Sequence, residues 1–282
     1  MQFSVLRSGL RLSIAGAIAA ALVFQLPASA LSPAPDTGEC SPEDATPATV
    51  VSVDAGVREG VELLLDDGRR ATLAGLEFPS PSAELRQAMS RWLSGQMVFV
   101  GPTRQDRWGR FPALIFAADG TGTSSGFIAV GVAAIDAGLA RYRPDPVAVS
   151  CRATYLAAEA RARSRRTGVW SNPDLLPVDA DGPEAAAVLP QRRGLTLVEG
   201  VVRSTGAGPR AIYLNFGHRR ATDFTVVISR RFSYNRPDSG FDPAQLIGRR
   251  VRVRGLIDTA RGPRIEITGP EEIEIVDTFS AP

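Results

Sequence analysis

The chain is divided into short apolar runs separated by turn residues, and this pattern limits the fold more than any other feature. Five strand-like runs occupy the first part of the chain: Ala48–Val53, Val61–Leu65, Ala71–Leu76, Met97–Val100 and Phe111–Phe116. Asp66-Asp67-Gly68 is a strong hairpin signal between the second and third runs. Helical spacing of apolar and small residues predicts three helices among these runs, at Ser82–Leu93, Ile128–Ala137 and Tyr155–Arg166.

A second series of strand-like runs follows a segment that is rich in proline and aspartate. Residues 173–192 are predicted from this composition to be a linker. The runs beyond it are Leu195–Arg203, Ala211–Phe216, Phe224–Ser229, Val251–Ile257, Ile265–Ile267 and Ile273–Val276. We therefore expect a mainly β, α+β protein. A five-stranded oligonucleotide/oligosaccharide-binding (OB) barrel with helices spans residues 48–172, and a second, smaller OB-like β-barrel spans 193–278.

The first thirty residues have the pattern of a secretory signal peptide. Arg7 and Arg11 are followed by an apolar stretch over residues 12–26, and Ala28-Ser29-Ala30 is a small-residue cleavage site. The stretch is short for a membrane span, although an uncleaved anchor remains the alternative. We expect a periplasmic or secreted protein with no stable membrane span after cleavage, and an exposed leader at residues 31–47.

Two cysteines, Cys40 and Cys151, are the only ones in the chain. An even number of cysteines in an exported protein favours a disulfide bond. The two positions are 111 residues apart, so the chain-entropy model gives a stabilisation of roughly 4–5 kcal/mol.

Charge is distributed unevenly along the chain, and every cationic side chain other than the single histidine is an arginine. Residues 31–190 carry 15 arginines against 20 acidic residues, whereas residues 191–282 carry 15 against 10. The basic C-terminal part is the better candidate for binding single-stranded nucleic acid or another polyanion. An ordinary solvated surface also accounts for an excess of this size.

Aromatic residues lie beside arginines in the C-terminal part, a combination that stacks nucleic-acid bases and contacts phosphates. The candidate nucleic-acid-binding residues are Arg210, Tyr213, Phe216, Arg219, Arg220, Arg252 and Arg254, to which Arg264 adds a further cation. Tyr213 and Phe216 have opposite parity on one predicted strand, so at least one of them faces the core. The alternation in residues 250–254 predicts a half-buried strand with an arginine face.

The segment Asp106-Arg107-Trp108-Gly109-Arg110 carries a family resemblance, together with the order of the elements around it. A cysteine, an alanine-rich helix and a Gly-Val-Trp sequence follow between Cys151 and Trp170. Residues 48–172 thereby resemble the thermonuclease family, the staphylococcal-nuclease-like phosphodiesterases. That family implies an Asp-Gly-Asp-Thr strand with a metal ligand, an Arg-Leu-x-Gly-Ile-Asp-x-Pro-Glu motif and an Asp-x-Tyr-Gly-Arg motif. The last two motifs supply two arginines, a second metal ligand and the catalytic glutamate.

The chain departs from these motifs at nearly every catalytic position. Val61 stands at a metal-ligand position, in the sequence Glu59-Gly60-Val61-Glu62. Thr72 replaces the first arginine and Ser80 replaces the catalytic glutamate. Glu77 replaces the second metal aspartate and is the one weak candidate for a metal ligand, whereas Arg110 is the only catalytic position retained. We expect Arg110 to serve a structural role and Trp108 to be a core residue.

These departures favour a protein without hydrolytic activity. Loss of a general base lowers the reaction rate by roughly 10²–10⁴-fold, and loss of an electrostatic donor lowers it by about 10²–10³-fold. We expect an exported, catalytically degenerate thermonuclease-like protein that binds nucleic acid or another polyanion and needs no cofactor. Two alternatives remain open: an adaptor that contacts proteins of the cell envelope, and a divergent phosphodiesterase that depends on Ca²⁺ or another divalent metal.

Overall fold

The chain is a mixed α+β protein built mostly from strands. The computed structural model describes residues 40–57, 60–79, 83–118, 126–219, 221–229 and 241–276. The predicted signal peptide, the leader up to residue 39 and the positions of Glu59, Ser80 and Arg220 lie outside the described residues. No helix within these ranges is both long enough and apolar enough to cross a membrane.

Among the residues that the structure describes, the first lobe (40–172) contains nine strands and three α-helices. The strands are β1 (Thr46–Val57), β2 (Gly60–Leu65), β3 (Arg70–Leu73), β4 (Leu76–Glu77), β5 (Met97–Val100), β6 (Phe111–Ala113), β7 (Ile115–Ala118), β8 (Phe127–Ala129) and β9 (Arg141–Tyr142). The helices are α1 (Ala83–Leu93), α2 (Val130–Asp136) and α3 (Arg152–Ser164). Strands and helices follow the predicted order in outline. The run Ala71–Leu76 is divided into β3 and β4, the run Phe111–Phe116 is interrupted at Leu114, the helix predicted from Ile128 begins at Val130 after β8, and β9 was not predicted.

Seven of these strands form one sheet, in the order β6-β3-β2-β1-β5-β7-β8. The pairing of β3 with β6 is parallel, and the other neighbours are antiparallel. Strands β4 and β9 pair separately. Alternate residues such as Leu63, Leu65, Val98 and Val100 are almost completely buried, and Met89 of α1 joins them in the core. The period of two in the strands thus directs one apolar face inward.

The described part of the second lobe, within residues 173–276, contains nine strands and one short α-helix. The strands are β10 (Val178–Asp179), β11 (Thr196–Val201), β12 (Ser204–Ala207), β13 (Ala211–Asn215), β14 (Thr225–Ser229), β15 (Arg250–Gly255), β16 (Ile257–Asp258), β17 (Arg264–Ile267) and β18 (Ile273–Ile275). The helix is α4 (Ala185–Val188). Two sheets result, with the orders β10-β11-β15-β18 and β12-β13-β14-β17-β16. None of the four sheets in the described chain is closed into a barrel by these pairings.

The segment whose composition predicts a linker carries structure of its own. Strand β10 pairs in parallel with β11. Ala185 and Leu189 are buried in the core of the second lobe, beside residues such as Phe216 and Val253. Residues 173–192 therefore connect the two lobes and also form part of the second one. Their scattered apolar residues pack into the core of that lobe.

The predicted disulfide bond is confirmed. Cys40 and Cys151 are joined, and Cys151 is fully buried at the position that precedes α3. The bond ties the start of the described chain to the helix, so it closes a loop that contains all the strands of β1 to β9.

The two lobes meet around a buried ion pair. Arg254 of β15 and Glu159 of α3 each have 1% of their side chain exposed, and their closest charged atoms are 3.0 Å apart. Arg254 also donates to the backbone oxygen of Tyr142 at 2.9 Å and to Glu274 at 2.7 Å. Residues 38–282 form one compact unit. In the arginine face predicted for β15, Arg254 thus contacts the first lobe, whereas Arg250 and Arg252 pair with acidic residues of the second lobe.

Opposing effects act on the ionisation of Arg254 and of its second acidic partner, Glu274. Burial alone would lower the pKa of Arg254, but Glu159 and Glu274 raise it above its usual value. Burial alone would raise the pKa of Glu274, but Arg254 and Arg252 hold it below its usual value. Arg254 and Glu274 therefore hold each other in the charged form, although Arg254 is almost completely buried.

Removing the disulfide bond should destabilise the folded chain. We expect a Cys40→Ser/Cys151→Ser variant to unfold with a free energy lower by about 4–5 kcal/mol, because the unfolded chain regains the entropy of a long loop. Guanidinium titration followed by circular dichroism measures the difference. A reducing agent should weaken the parent and leave the variant unchanged; equal midpoints for the oxidised parent and the variant would contradict the prediction.

Removing Arg254 should destabilise the fold much more than removing a partly exposed arginine of the same strand. We expect Arg254→Met to lower the free energy of unfolding by about 3–5 kcal/mol, since Glu159 stays buried with only Arg163, 3.8 Å away, as its remaining cation. Arg250→Met on the same strand is the control, because Arg250 is partly exposed and its loss should cost at most about 1 kcal/mol. Urea denaturation compares the two, and equal losses would rule out a special role for Arg254.

Candidate functional site

A tight turn fixes the position of Arg110, the retained catalytic position of the family motif. Asp106 accepts hydrogen bonds from the backbone N–H groups of Trp108 at 2.9 Å and Arg110 at 2.8 Å. Its second oxygen accepts from the Arg110 side chain at 3.0 Å. Gly109 provides the positive φ of 79° that the turn requires. The aspartate therefore shapes the turn and holds the guanidinium of Arg110 at the same time.

The same contacts determine the ionisation of Asp106. Partial desolvation opposes ionisation, but the backbone N–H groups of Arg110 and Trp108 and the Arg110 guanidinium outweigh it. Together they hold the pKa of Asp106 below its usual value. Asp106 is thus an anion at neutral pH, matched to the charge of Arg110.

Trp108 does not fill the core, which corrects the expectation from sequence. Its side chain is 54% exposed, with the guanidinium carbon of Arg107 4.1 Å and that of Arg110 4.8 Å from its ring centroid. Cations prefer the negative face of an indole ring. The tryptophan is therefore held on the surface between two arginines, at the rim of the cavity that Arg110 lines.

Three of the positions that the resemblance to thermonuclease motifs would assign to an active site lie around one cavity of about 290 Å³. Val61, Thr72 and Arg110 all line it, because β2 pairs with β3 and β3 pairs in parallel with β6 next to the Arg110 turn. We call it the Arg110 cavity. Its other lining residues are Leu73, Ala74, Leu76, Phe78, Asp106, Trp108, Pro112, Arg143 and Asp145.

The nearby carboxylates are not arranged to hold a divalent metal. Glu77 accepts from the buried Arg141 at 2.8 Å and does not line the cavity. Glu62 accepts two hydrogen bonds from Arg70, at 2.7 and 3.1 Å. Within the described ranges, no group of three or more histidine, cysteine or acidic side chains is placed to bind a metal ion. A hard cation needs several oxygen ligands, so the residues described here do not fit the metal of a nuclease.

A second candidate site lies on the outer face of the β12–β13–β14–β17 sheet. Strand register brings Tyr213 beside Gly206 and Val227, and Asn215 beside Thr225. Tyr213 is 37% exposed, and these side chains line a groove of about 240 Å³. We call this surface the Tyr213 face. Its lining residues are Gly206, Tyr213, Asn215, Thr225, Val227, Arg261 and Arg264.

Two arginines border the Tyr213 face. The parallel pairing of β17 with β14 places Arg264 beside Thr225. Arg264 also forms an ion pair with Asp258. Arg261 is exposed and forms no ion pair with any residue that the structure describes. Glu266 lies on the same strand face as Arg264 and is the acidic neighbour that an anionic ligand would meet. The face is therefore moderately basic, with one cation available.

Small residues keep the surface around the tyrosine open. A Cβ atom at Gly208 would lie 3.2 Å from Cε2 of Tyr213, so any side chain there would crowd the ring. Asn215 donates a hydrogen bond of 3.2 Å to Ser204, which orients its amide beside the groove. The face thus presents one aromatic ring with polar groups on either side, an arrangement that suits stacking of a planar ligand.

The remaining predicted binding residues divide into exposed and buried groups. Phe216 is 4% exposed and belongs to the core. This agrees with the expectation that at least one of Tyr213 and Phe216 faces inward. Arg252 and Arg254 are 8% and 1% exposed and are paired with Glu199, Glu274 and Glu159, so neither can contact a polyanion; this corrects their assignment. Arg210 and Arg219 are exposed but do not line the Tyr213 face.

Sequence reasoning missed Arg261 as a binding candidate and Arg143 and Asp145 as cavity residues. Each lies in a turn next to a strand end, where local patterns carry little information. Arg261 precedes β17, whose parallel pairing with β14 places Arg264 beside Thr225 and brings both arginines to the same groove. No periodicity within one run reveals such a pairing.

In comparisons with known proteins, neither a family model nor a curated protein sequence matches the chain. The resemblance to thermonucleases therefore depends on the motif residues and on the element order, and both candidate sites are judged by their own geometry.

The charge of Asp106 should stabilise the Arg110 turn in a pH-dependent way. Because its folded pKa is below the unfolded value of about 3.9, the contribution is present above that pH and is lost as the pH falls through the folded pKa. We expect the parent to be more stable than Asp106→Asn by a constant amount at about pH 6–8, and by less at about pH 3. Urea titrations at each pH measure this.

Asp174→Asn is the matched control, since it removes the same charge from an exposed position. A difference between the parent and Asp106→Asn that stays constant down to about pH 3 would show that the carboxylate charge does not act at this turn.

Proposed function

We propose that this protein is an exported, thermonuclease-like module that binds single-stranded nucleic acid, or a similar polyanion, without hydrolysing it. The Tyr213 face is the binding surface. The observation that carries the proposal is an exposed tyrosine on a sheet face with an arginine that has no ion pair among the described residues. Stacking on an aromatic ring and contact between arginine and phosphate are the two interactions that such binding needs.

We infer that each lobe is an OB-type barrel, which supports the choice of this face. In the first lobe only Leu114 separates β6, the partner of β3, from β7, the partner of β5. In the second lobe only Leu256 separates β15, the partner of β11, from β16, the partner of β17. The first lobe pairs β3 with β6 in parallel, and the second lobe pairs β14 with β17 in parallel. OB barrels bind oligonucleotides on the face of their second and third strands, the counterparts of β13 and β14 here.

The composition of the Arg110 cavity supports binding without hydrolysis. Val61 and Thr72 offer neither a metal ligand nor a cation, and the nearby Glu77 is held by Arg141. Arg110 shares its charge with Asp106. A phosphodiesterase needs a polarising metal, an activated water and cations at the phosphate, and only one cation of that set stands at its family position.

Fluorescence anisotropy with a labelled oligo(dT) and the mature chain tests the proposal. We expect Tyr213→Ala to weaken binding by about 5- to 150-fold, since stacking on one aromatic ring contributes roughly 1–3 kcal/mol per base. Tyr213→Phe keeps the ring and should bind like the parent. Arg261→Ala should also weaken binding, and it should reduce the salt slope by about 0.7, the value for one phosphate contact on a single strand.

Arg104→Ala is the matched charge control, because Arg104 is an exposed arginine of the first lobe that lines neither candidate site. The proposal fails if the parent shows no salt-dependent binding, or if Tyr213→Ala and Arg261→Ala bind as tightly as Arg104→Ala. In that case an adaptor role at the cell envelope becomes the better explanation.

A further inference from the structure

The Arg110 cavity is lined by both apolar and polar groups, and its apolar side chains suit the side chain of a small ligand. Val61, Leu76 and Ala74 are each 2% exposed, and Phe78 is 8% exposed. Pro112 continues the apolar lining, and Thr72 adds a methyl group and one hydroxyl. Ligand pockets are typically lined by apolar side chains with a small number of polar groups that fix orientation. A cavity of about 290 Å³ accommodates a small molecule and not a folded partner.

Four charged side chains line the cavity, and they divide into two kinds. Arg110 and Asp106 neutralise each other at 3.0 Å. Arg143 and Asp145 form no ion pair with each other or with any other described residue. Asp145 uses one oxygen to accept the backbone N–H of Val147 at 2.8 Å, which fixes the carboxylate beside the cavity. One cation and one anion therefore remain available beside the apolar part of the cavity lining.

This charge arrangement distinguishes among ligand classes. A phosphate dianion would meet two carboxylates, Asp106 and Asp145, with only one unmatched arginine. A purely apolar molecule would leave Arg143 and Asp145 without partners as it displaces their water. A zwitterion satisfies both groups, because its carboxylate pairs with the guanidinium and its ammonium pairs with the aspartate.

We propose that the Arg110 cavity binds an apolar α-amino acid as its zwitterion. Arg143 holds the ligand's carboxylate, Asp145 holds its ammonium group, and the apolar walls around Val61 and Leu76 surround its side chain. Trp108, fixed between Arg107 and Arg110, covers the rim. This site is separate from the Tyr213 face, so it does not depend on nucleic-acid binding.

Isothermal titration calorimetry with the mature chain tests the proposal through three matched probes. The probes are L-leucine, the deaminated acid 4-methylpentanoate and the decarboxylated amine 3-methylbutylamine. We expect L-leucine to bind more tightly than either analogue by about 10- to 150-fold, the range for hydrogen bonds to a charged group. Equal binding of all three, or no binding of L-leucine at millimolar concentration, overturns the proposal.

Two variants assign the charged contacts separately. Arg143→Gln should bind L-leucine no better than the parent binds 3-methylbutylamine. Asp145→Asn keeps a side-chain acceptor for Val147, so the fold is retained, and it should bind L-leucine no better than the parent binds 4-methylpentanoate. Arg104→Gln leaves the cavity intact and should bind as the parent does. If both cavity variants retain the parent's selectivity, the zwitterion is held elsewhere and the assignment is wrong.

Discussion

The buried contact between Arg254 and Glu159 is the interaction on which the rest of the structure depends. Both side chains are excluded from water, so each charge requires the other, and the pair joins β15 of the second lobe to α3 of the first. Glu159 also accepts the backbone N–H of Tyr142 at 3.0 Å. The same strand therefore completes the second lobe's sheet and fixes it against the first, and it leaves the opposite sheet, with the Tyr213 face, accessible.

The sequence predicted the elements well and the partners of its arginines poorly. Hydrophobic alternation located the strands, and parity correctly required one of Tyr213 and Phe216 to be buried. The alternating arginines of β15 could also be recognised in the sequence. The carboxylate partners of Arg254, however, are Glu159 and Glu274, which lie 95 and 20 residues away along the chain. Local periodicity contains no information about such distant partners, so an internal ionic contact resembled a basic surface.

The two candidate sites differ in how their charged side chains are paired. Family motifs identified Val61, Thr72 and Arg110, and strand pairing brings these three around one cavity. What the motifs did not identify is how the charges there are matched: Asp106 neutralises Arg110, and Glu77 turns to Arg141 instead of the cavity. The cavity beside Arg110 is thus lined by both apolar and charged side chains, while exposed aromatic and cationic groups lie on the second lobe.

The most direct test of binding without hydrolysis uses one set of samples and two gels. The mature chain is incubated with end-labelled single-stranded DNA or RNA in the presence of Ca²⁺, Mg²⁺ or Mn²⁺. The mixtures are run on native gels and, after denaturation, on sequencing gels. We expect the label to be retarded on the native gel and to remain full length on the denaturing gel. Metal-dependent cleavage that disappears in an Arg110→Ala variant would contradict the proposal and establish a rebuilt active site.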